Sequence, residues 1–365
     1  MNNPSRTFLM MLHHACRIAP GKFLPLTLCT VLFLSACLVP LVMAYRMALE
    51  PVKFQEKSVW IQVGNQIKEI DARMFEVIDG CGFTRIIFLN SAVDDRGYFP
   101  ILRSCAAKCR TRGIKVSMGD LVFKEAYLKH YWERNPQLRK KLRDGTVPLH
   151  PYYRFEVCPN NPINQQYVAD QLVEKAREAG VDEVHVDYEC TACYCRYCIK
   201  DFLRESGKDA RDLSPEDPDW RNWRSCKTAA FFETLARKIS KGAPSLKISA
   251  TAPIIGPRGG FTEYGIDLRY EDIAGFVDEF IPMIYISELL PPELAGRKHL
   301  AVKRRLRDSV VTPGLLLAEE KMGSTKNAER FRRELTSVYR AGARGIVIFE
   351  VRFINEEIVK ILREC

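Results

Sequence analysis

The chain has 365 residues, 47% of them hydrophobic, so it can bury one large core, and a single α/β barrel suits that length as well as two smaller domains would. The formal net charge is +10, with Arg6, Arg17 and Lys22 ahead of the first apolar run and the remainder spread through helix-like segments such as Lys303-Arg304-Arg305. Charge scattered in this way reads as a solvated face and argues against a nucleic-acid partner.

From Phe23 to Ala44 there is no charged residue, and only basic residues precede the run, which is the layout of an export signal or a membrane anchor. Leu34-Ser35-Ala36-Cys37 resembles a bacterial lipoprotein signal with Cys37 as the lipidated residue, whereas Val42-Met43-Ala44 fits an ordinary cleavage site. The run continues past Cys37, which suits an uncleaved anchor. Residues 1–50 are therefore read as a targeting segment with its linker. Residues 51–365 are then one domain, expected on the periplasmic or extracellular side and attached to the membrane. The oligomeric state is not legible.

Beyond residue 50, short β-branched runs alternate with amphipathic stretches as far as the C-terminus, the pattern of parallel βα units. Strands are predicted at Val59–Val63, Arg85–Asn90, Lys115–Gly119, Glu183–Tyr188, Lys247–Thr251, Glu279–Tyr285, Val310–Leu316 and Gly345–Glu350. Eight strands with intervening helices predict a closed (β/α)8 TIM barrel; an open doubly wound sheet is the alternative. Gly113, Gly180 and Gly342 stand where helices would end before strands. Asn164 is placed to cap residues 165–179, and Asn355 a terminal helix. The segments after strands 3, 4 and 5 are long, and in a barrel all three would rim the catalytic mouth.

Strand 4 carries the densest chemistry. In Val181-Asp182-Glu183-Val184-His185-Val186-Asp187-Tyr188-Glu189, alternation puts His185, Asp187 and Glu189 on one face, with neighbours about 7 Å apart, and Val184, Val186 and Tyr188 on the other. In a barrel the first face points inward and climbs to the mouth, where burial and a neighbouring like charge would raise a carboxyl pKa into the range of a general acid. The bland alternative is a set of polar residues that fill a barrel layer or pair with basic neighbours.

This run resembles the fourth-strand signature of the chitinase-like family 18 glycoside hydrolases, Phe-Asp-Gly-hydrophobic-Asp-hydrophobic-Asp-Trp-Glu. On that resemblance Glu189 matches the catalytic acid, Asp187 the aspartate beside it and Tyr188 the aromatic, while His185 replaces an earlier aspartate. Val277 to Tyr285 is similar to the sixth strand of that superfamily, whose Met-x-Tyr reaches the site, here Met283 and Tyr285. Ile286 and Ser287 stand where an aspartate is expected, and strand 8 ends Ile348-Phe349-Glu350 without the usual tryptophan. These departures count against a mechanism in which the substrate's own amide is the nucleophile. The wider layout, with its cysteine-rich segment after strand 4, resembles uncharacterised bacterial glycoside-hydrolase-like barrels.

A two-carboxylate mechanism needs a second acid across the mouth. Glu319 and Glu320 after strand 7 are the leading candidates, followed by Glu350 and Asp120. For substrate contacts the sequence offers His185, Trp60, Asp120, Tyr152, Tyr153 and Met283, with Tyr285 orienting the sugar. Trp220 and Trp223, at i and i+3, can equally dock their own helix.

Cys190, Cys193, Cys195 and Cys198 place four thiols within nine residues, a set suited to tetrahedral zinc at Zn–S distances of about 2.3 Å. With thiolates in all four positions such a zinc would be structural. Disulfides, including pairings with Cys158 or Cys226, are the alternative. Family 42 β-galactosidases are similar in carrying a cysteine metal cluster near the barrel mouth, though their Asn-Glu pair on strand 4 is missing here. No organic cofactor is implied. The expectation is a glycoside hydrolase acting on an oligo- or polysaccharide, with a catalytically inactive carbohydrate-binding barrel and a metal-dependent hydrolase built on His185 as alternatives.

Overall fold

The computed structural model describes residues 51–64, 69–91, 95–124, 128–148, 155–188, 190, 192–251, 268–318 and 325–365. The predicted targeting segment, Glu189, Tyr152, Tyr153, Glu319 and Glu320 lie outside the described residues. Among those described, no helix is long and apolar enough to cross a membrane.

Strands and helices alternate: β1 (Glu56–Gly64), α1 (Ala72–Cys81), β2 (Arg85–Ser91), α2 (Asp95–Arg110), β3 (Lys115–Leu121), α3 (Lys129–Arg134), α4 (Pro162–Ala179), β4 (Glu183–Asp187), α5 (Arg196–Ser206), α6 (Pro218–Gly242), β5 (Lys247–Thr251), α7 (Tyr270–Ile273), β6 (Glu279–Phe280), α8 (Leu294–Arg305), β7 (Val310–Val311), β8 (Gly314–Leu316), α9 (Ala328–Arg340), β9 (Gly345–Phe349) and α10 (Glu356–Glu364). Every ladder is parallel, in the order β7-β6-β5-β4-β3-β2-β1-β9-β8. β7 and β8 are two halves of one barrel strand. They part at Thr312-Pro313, where proline has no N–H for the ladder. Gly314 bridges Met283 on one side and pairs with Val347 on the other, so the ring closes as eight strands. The open sheet is thereby excluded; the predicted strand 7 is interrupted at Thr312-Pro313, and the predicted strand 6 (Glu279–Tyr285) is shortened to Glu279–Phe280 with one further bridge at Met283, since Pro282 has no N–H for the ladder.

Alternation divides the core in two. Val59, Ile61, Ile86, Phe88, Val184, Val186, Leu315, Ile346 and Ile348 face the helices in one large cluster, while Trp60, Ile87, Ile281 and Val347 pack inside the barrel. Gly113, Gly180 and Gly342 take positive φ (69°, 67° and 88°), as their predicted helix-ending positions require. Asn355 caps α10 by accepting from Ile358 N.

The cap of α4 differs from expectation. Asn161 accepts from Ile163 N, with Pro162 in the first turn, where its missing N–H costs nothing. Asn164 is instead fully buried and donates to the carbonyls of Leu138 and Cys158, each at 2.9 Å, bracing the loop that carries Cys158.

Candidate functional site: the barrel interior, its mouth and the four-thiol cluster

The strand registers stack the inward side chains in layers drawn from alternate strands. At the N-terminal end Arg85, Glu183, Glu279 and Gly345 form the first layer. Arg85 Nη1 lies 3.0 Å from Glu183 and is also hydrogen-bonded to Glu279, and Glu56 lies 3.3 Å from its Nε. Gly345 contributes no side chain to the fourth position, and a cavity of about 540 Å³ opens there, lined by Glu56, Arg85, Lys115, Glu183, Lys247 and Glu279 among others. The next layer is Ser58, Ser117, Ser249 and Thr312, all hydroxyl-bearing. Above it come Ile87, His185, Ile281 and Val347, then Trp60 with Gly119, Thr251 and Gly314, and then Leu89, Asp187, Met283 and Phe349.

Trp60 fills its layer because two of its three companions are glycines. A Cβ on Gly314 would stand 2.8 Å from the Trp60 Cη2. The indole packs edge-on against Phe349 above, with ring centroids 5.7 Å apart, and lies over the His185 ring below at 5.8 Å.

At the C-terminal ends of the strands a cavity of about 190 Å³ is lined by Trp60, Gln62, Leu89, Asn90, Leu121, Asp187, Thr251, Met283, Tyr285 and Phe349. Three aromatic rings, amides and a hydroxyl around one carboxylate are the elements of a sugar site: flat apolar faces for a pyranose and polar groups for its hydroxyls. This end of the barrel, and not the larger charged cavity opposite, is where (β/α)8 barrels carry chemistry. The carboxylates of the larger cavity are already committed. Asp182 and Asp278 accept from Val116 N and Ile248 N, each at 2.8 Å, and Glu183 and Glu279 hold Arg85.

The structure gathers Trp60, Asp187, Met283 and Tyr285 at the mouth. His185 sits one layer beneath Trp60, fully buried, with Nδ1 2.8 Å from Ser249 Oγ. Burial, with the charge of Arg85 adding to it, lowers its pKa to about 3. It is a neutral interior residue and not a wall of the mouth. Asp120 shares the strand face of Val116 and Met118, is paired in register with Val186 on the helix side, and is buried. Glu350 follows a cis peptide bond after Phe349, is fully buried, and has its Oε2 2.6 Å from Arg352 Nη2, which also donates to Gln62 Oε1 at 3.3 Å. Neither of these two acids lines the mouth.

Several described aromatic residues of the long loops pack against other side chains of the protein. Tyr131 stacks on Tyr167 at 3.8 Å, Trp132 receives Arg139 over its face, and Trp220 and Trp223 stack on each other at 5.0 Å. The tryptophan pair belongs to a second small core around the cysteines, with Tyr194, Phe202 and Ala210.

The predicted metal set needs one correction. The thiols that converge are Cys158, Cys193, Cys195 and Cys198, all buried and with their sulfurs within 4.8 Å of one another. Cys190 is not among them: its side chain leaves the end of β4 on the helix side and donates to Val122 O at 3.6 Å, and burial pushes its thiol up to about 12. Cys158 arrives from the loop after β3, positioned by the Arg139–Val157 bridge and by Asn164. Its distance along the chain hid it from a reading based on spacing. The sulfur separations of 3.4 Å (Cys158 to Cys198) and 3.7 Å (Cys195 to Cys198) fit the edge of about 3.8 Å that a tetrahedral ZnS4 centre requires at 2.3 Å bonds. Asn160 Nδ2 donates to Cys198 Sγ at 3.4 Å, an outer contact of the kind that orients thiolate ligands.

Fold and mouth together define a (β/α)8 barrel of the glycoside-hydrolase type. Residues 89–312 match the Glycosyl hydrolase-like 10 family, and the chain belongs to it. No curated protein matches the sequence. Similar solved structures include a polyextremophilic β-galactosidase from the Antarctic haloarchaeon Halorubrum lacusprofundi, with TM-score 0.65 and 13% identity over 85% of this chain and 57% of that one. The PgaB (BpsB) glycoside hydrolase domain from Bordetella bronchiseptica gives TM-score 0.62 and 15% identity, covering 84% of this chain and 98% of the domain. An α-L-fucosidase from Paenibacillus thiaminolyticus gives 0.60 and 16% identity over 84% and 48%. The chain spans a little over half the length of the β-galactosidases it resembles. At these identities the likeness is one of fold.

Proposed function

We propose that the protein is a glycoside hydrolase that cleaves an oligo- or polysaccharide by acid/base catalysis from the C-terminal end of β4. The observation that carries this reading is the convergence of Asp187, Trp60 and Tyr285 on one cavity at the catalytic end of a barrel from a glycosyl hydrolase-like family. Glu189, which strand alternation in the sequence assigns to the row of His185 and Asp187, is proposed as the general acid, because a second carboxylate nearby raises a carboxyl pKa. Asp187 supplies that neighbouring charge, and Tyr285 orients the sugar. Among the described residues lining the mouth, Asp187 is the one carboxylate, which leaves the second acid to Glu319 or Glu320.

A zinc ion held by Cys158, Cys193, Cys195 and Cys198 is part of the proposal, in a structural role. These thiols join the loop after β3 to the loop after β4, and four thiolates leave no open position for water. Export and membrane attachment through residues 1–50 complete the reading and would give the barrel access to extracytoplasmic glycans.

The test is turnover of a broad panel of neutral, acidic and amino-sugar glycans by the wild-type protein and by Asp187→Asn. Cleavage of at least one glycan, reduced roughly 100-fold or more in the variant, supports the assignment. Binding without cleavage by the wild type would replace it with the carbohydrate-binding reading.

A further inference from the structure

His185 is buried in the barrel, and hydrogen-bond polarity determines which of its nitrogens carries the proton. Arg85 donates to Glu183 Oε2 at 3.0 Å, and its charge opposes the upward pull of burial on that carboxyl; as a carboxylate Glu183 has only lone pairs to offer. Ser249 Oγ is 2.5 Å from Glu183 Oε1 and donates its single proton there. Ser249 can therefore only accept from His185 Nδ1, 2.8 Å away, and so Nδ1 carries the hydrogen. The other nitrogen, Nε2, is left with a lone pair; it is buried and meets no hydrogen-bond donor among the described residues. The charged and hydroxyl layers beneath thus select one tautomer of a neutral imidazole.

The ring that lies on this imidazole is Trp60, tilted by 57° to it, and the indole Nε1–H is likewise buried and meets no acceptor among the described residues. An acceptor and a donor, each costly to leave unmet, occupy adjoining layers of one barrel. Trp60 is also the ring that separates the interior from the mouth: it lines the mouth cavity with Asp187, whereas His185 does not.

We infer that His185 is a positioning residue for Trp60: a water between the two rings accepts the indole N–H and donates to the Nε2 lone pair, and so sets the tilt of the floor on which the sugar rests. The role of His185 is thereby moved from touching substrate to orienting the residue that does. Gly314 completes the seat by leaving room for the far edge of the indole. The inference rests on the proposed sugar site for its purpose, but not for its geometry.

The test uses the full-length protein with 15N-labelled histidine and tryptophan. Long-range 1H–15N spectra, with the His185 signals assigned through His185→Gln, are expected to show a neutral ring protonated at Nδ1 from pH 5 to 8. Protonation at Nε2, or an imidazolium in that range, would overturn the inference. The Trp60 indole signal, assigned by Trp60→Phe, should shift in His185→Phe and return towards its wild-type position in His185→Gln, whose side-chain carbonyl reaches the place of Nε2. An indole signal indifferent to both variants would also overturn it. With an identified substrate, His185→Phe should raise KM while kcat stays within about twofold, the signature of lost ground-state positioning. If no glycan is cleaved at all, the glycosidase reading fails while the tautomer and indole measurements still decide this one. If His185→Phe does not fold, the Trp60 indole signal in His185→Gln decides it: a position within a small shift of wild type supports the inference, and a large shift in a folded His185→Gln overturns it.

Discussion

The barrel is open at both ends, and the two ends differ in what their charges are doing. The N-terminal cavity is the larger, about 540 Å³ against about 190 Å³, and it is lined by acids and bases on every side. Yet its carboxylates are engaged: three surround Arg85, and two aspartates accept from backbone N–H groups of neighbouring strands. Among the described residues the C-terminal mouth has less volume and less charge, but aromatic faces and a carboxylate line the same space. Neither volume nor charge identifies the site in this molecule. What separates the ends is whether polar groups are used up in holding strands together.

Four perturbations sharpen that contrast, in order of expected size. The largest is acid. An unfolded histidine titrates near 6.5, whereas His185 in the fold is lowered to about 3 by burial and the Arg85 charge. Its contribution to stability is complete above pH 6.5 and is lost as pH falls towards 3, up to roughly 5 kcal/mol at 1.36 kcal/mol per unit. His299, lowered to about 4 by burial and then by Lys303, acts in the same direction, whereas Glu183, raised chiefly by burial, opposes them. Denaturant midpoints between pH 7 and 4 should fall, and His185→Gln should flatten the slope.

Next is Arg85→Met at the N-terminal end. It leaves Glu183 and Glu279 buried without their cation and should cost about 3–5 kcal/mol in chemical denaturation. Asp187→Asn at the mouth should change stability by less than about 1 kcal/mol, within the range of substitutions away from structural networks. Equal costs at the two ends would erase the distinction.

Metal removal tests the second core. A strong chelator should release about one zinc per chain and expose Cys158, Cys193, Cys195 and Cys198 to thiol reagents, with Cys190 remaining protected. Hydrogen exchange should rise in the loops after β3 and β4 while the strands keep their protection. Release with no change in those loops would deny the cluster its scaffolding role. The last perturbation is Gly314→Ala, which forces a methyl against Trp60 and should cost about 1–3 kcal/mol by overpacking, more than Asp187→Asn but less than Arg85→Met. A shift of Trp60 fluorescence should accompany it.

The barrel was legible because alternation is a local property. The period-2 runs gave all eight barrel strands, and the inward row of β4 emerged as read, with His185 and Asp187 inside and Val184 and Val186 outside. Depth and long-range partnership were not legible. The sequence cannot show that Trp60 lies between His185 and Asp187, because that depends on Gly119 and Gly314 from distant strands arriving in the same layer. Cys158 was missed as a ligand for the same reason. Three cysteines of the right set were adjacent in sequence and the fourth came from another loop, while Cys190 was close in sequence but leaves its strand on the wrong side. Glu183 went unassigned because its partner, Arg85, is two strands away; the repeated Val-Asp-Glu at 181–183 and 277–279 was the one available signal that both glutamates serve a common cation.

The central claim, that the chemistry lies at the C-terminal end of β4, is tested most directly by measuring affinity and turnover on one cleaved oligosaccharide for wild type and Glu189→Gln. The account predicts that the variant binds within a few-fold of wild type and loses turnover by about 10²–10⁴, the range for removal of a general acid. Unchanged turnover in a variant that still binds would contradict it.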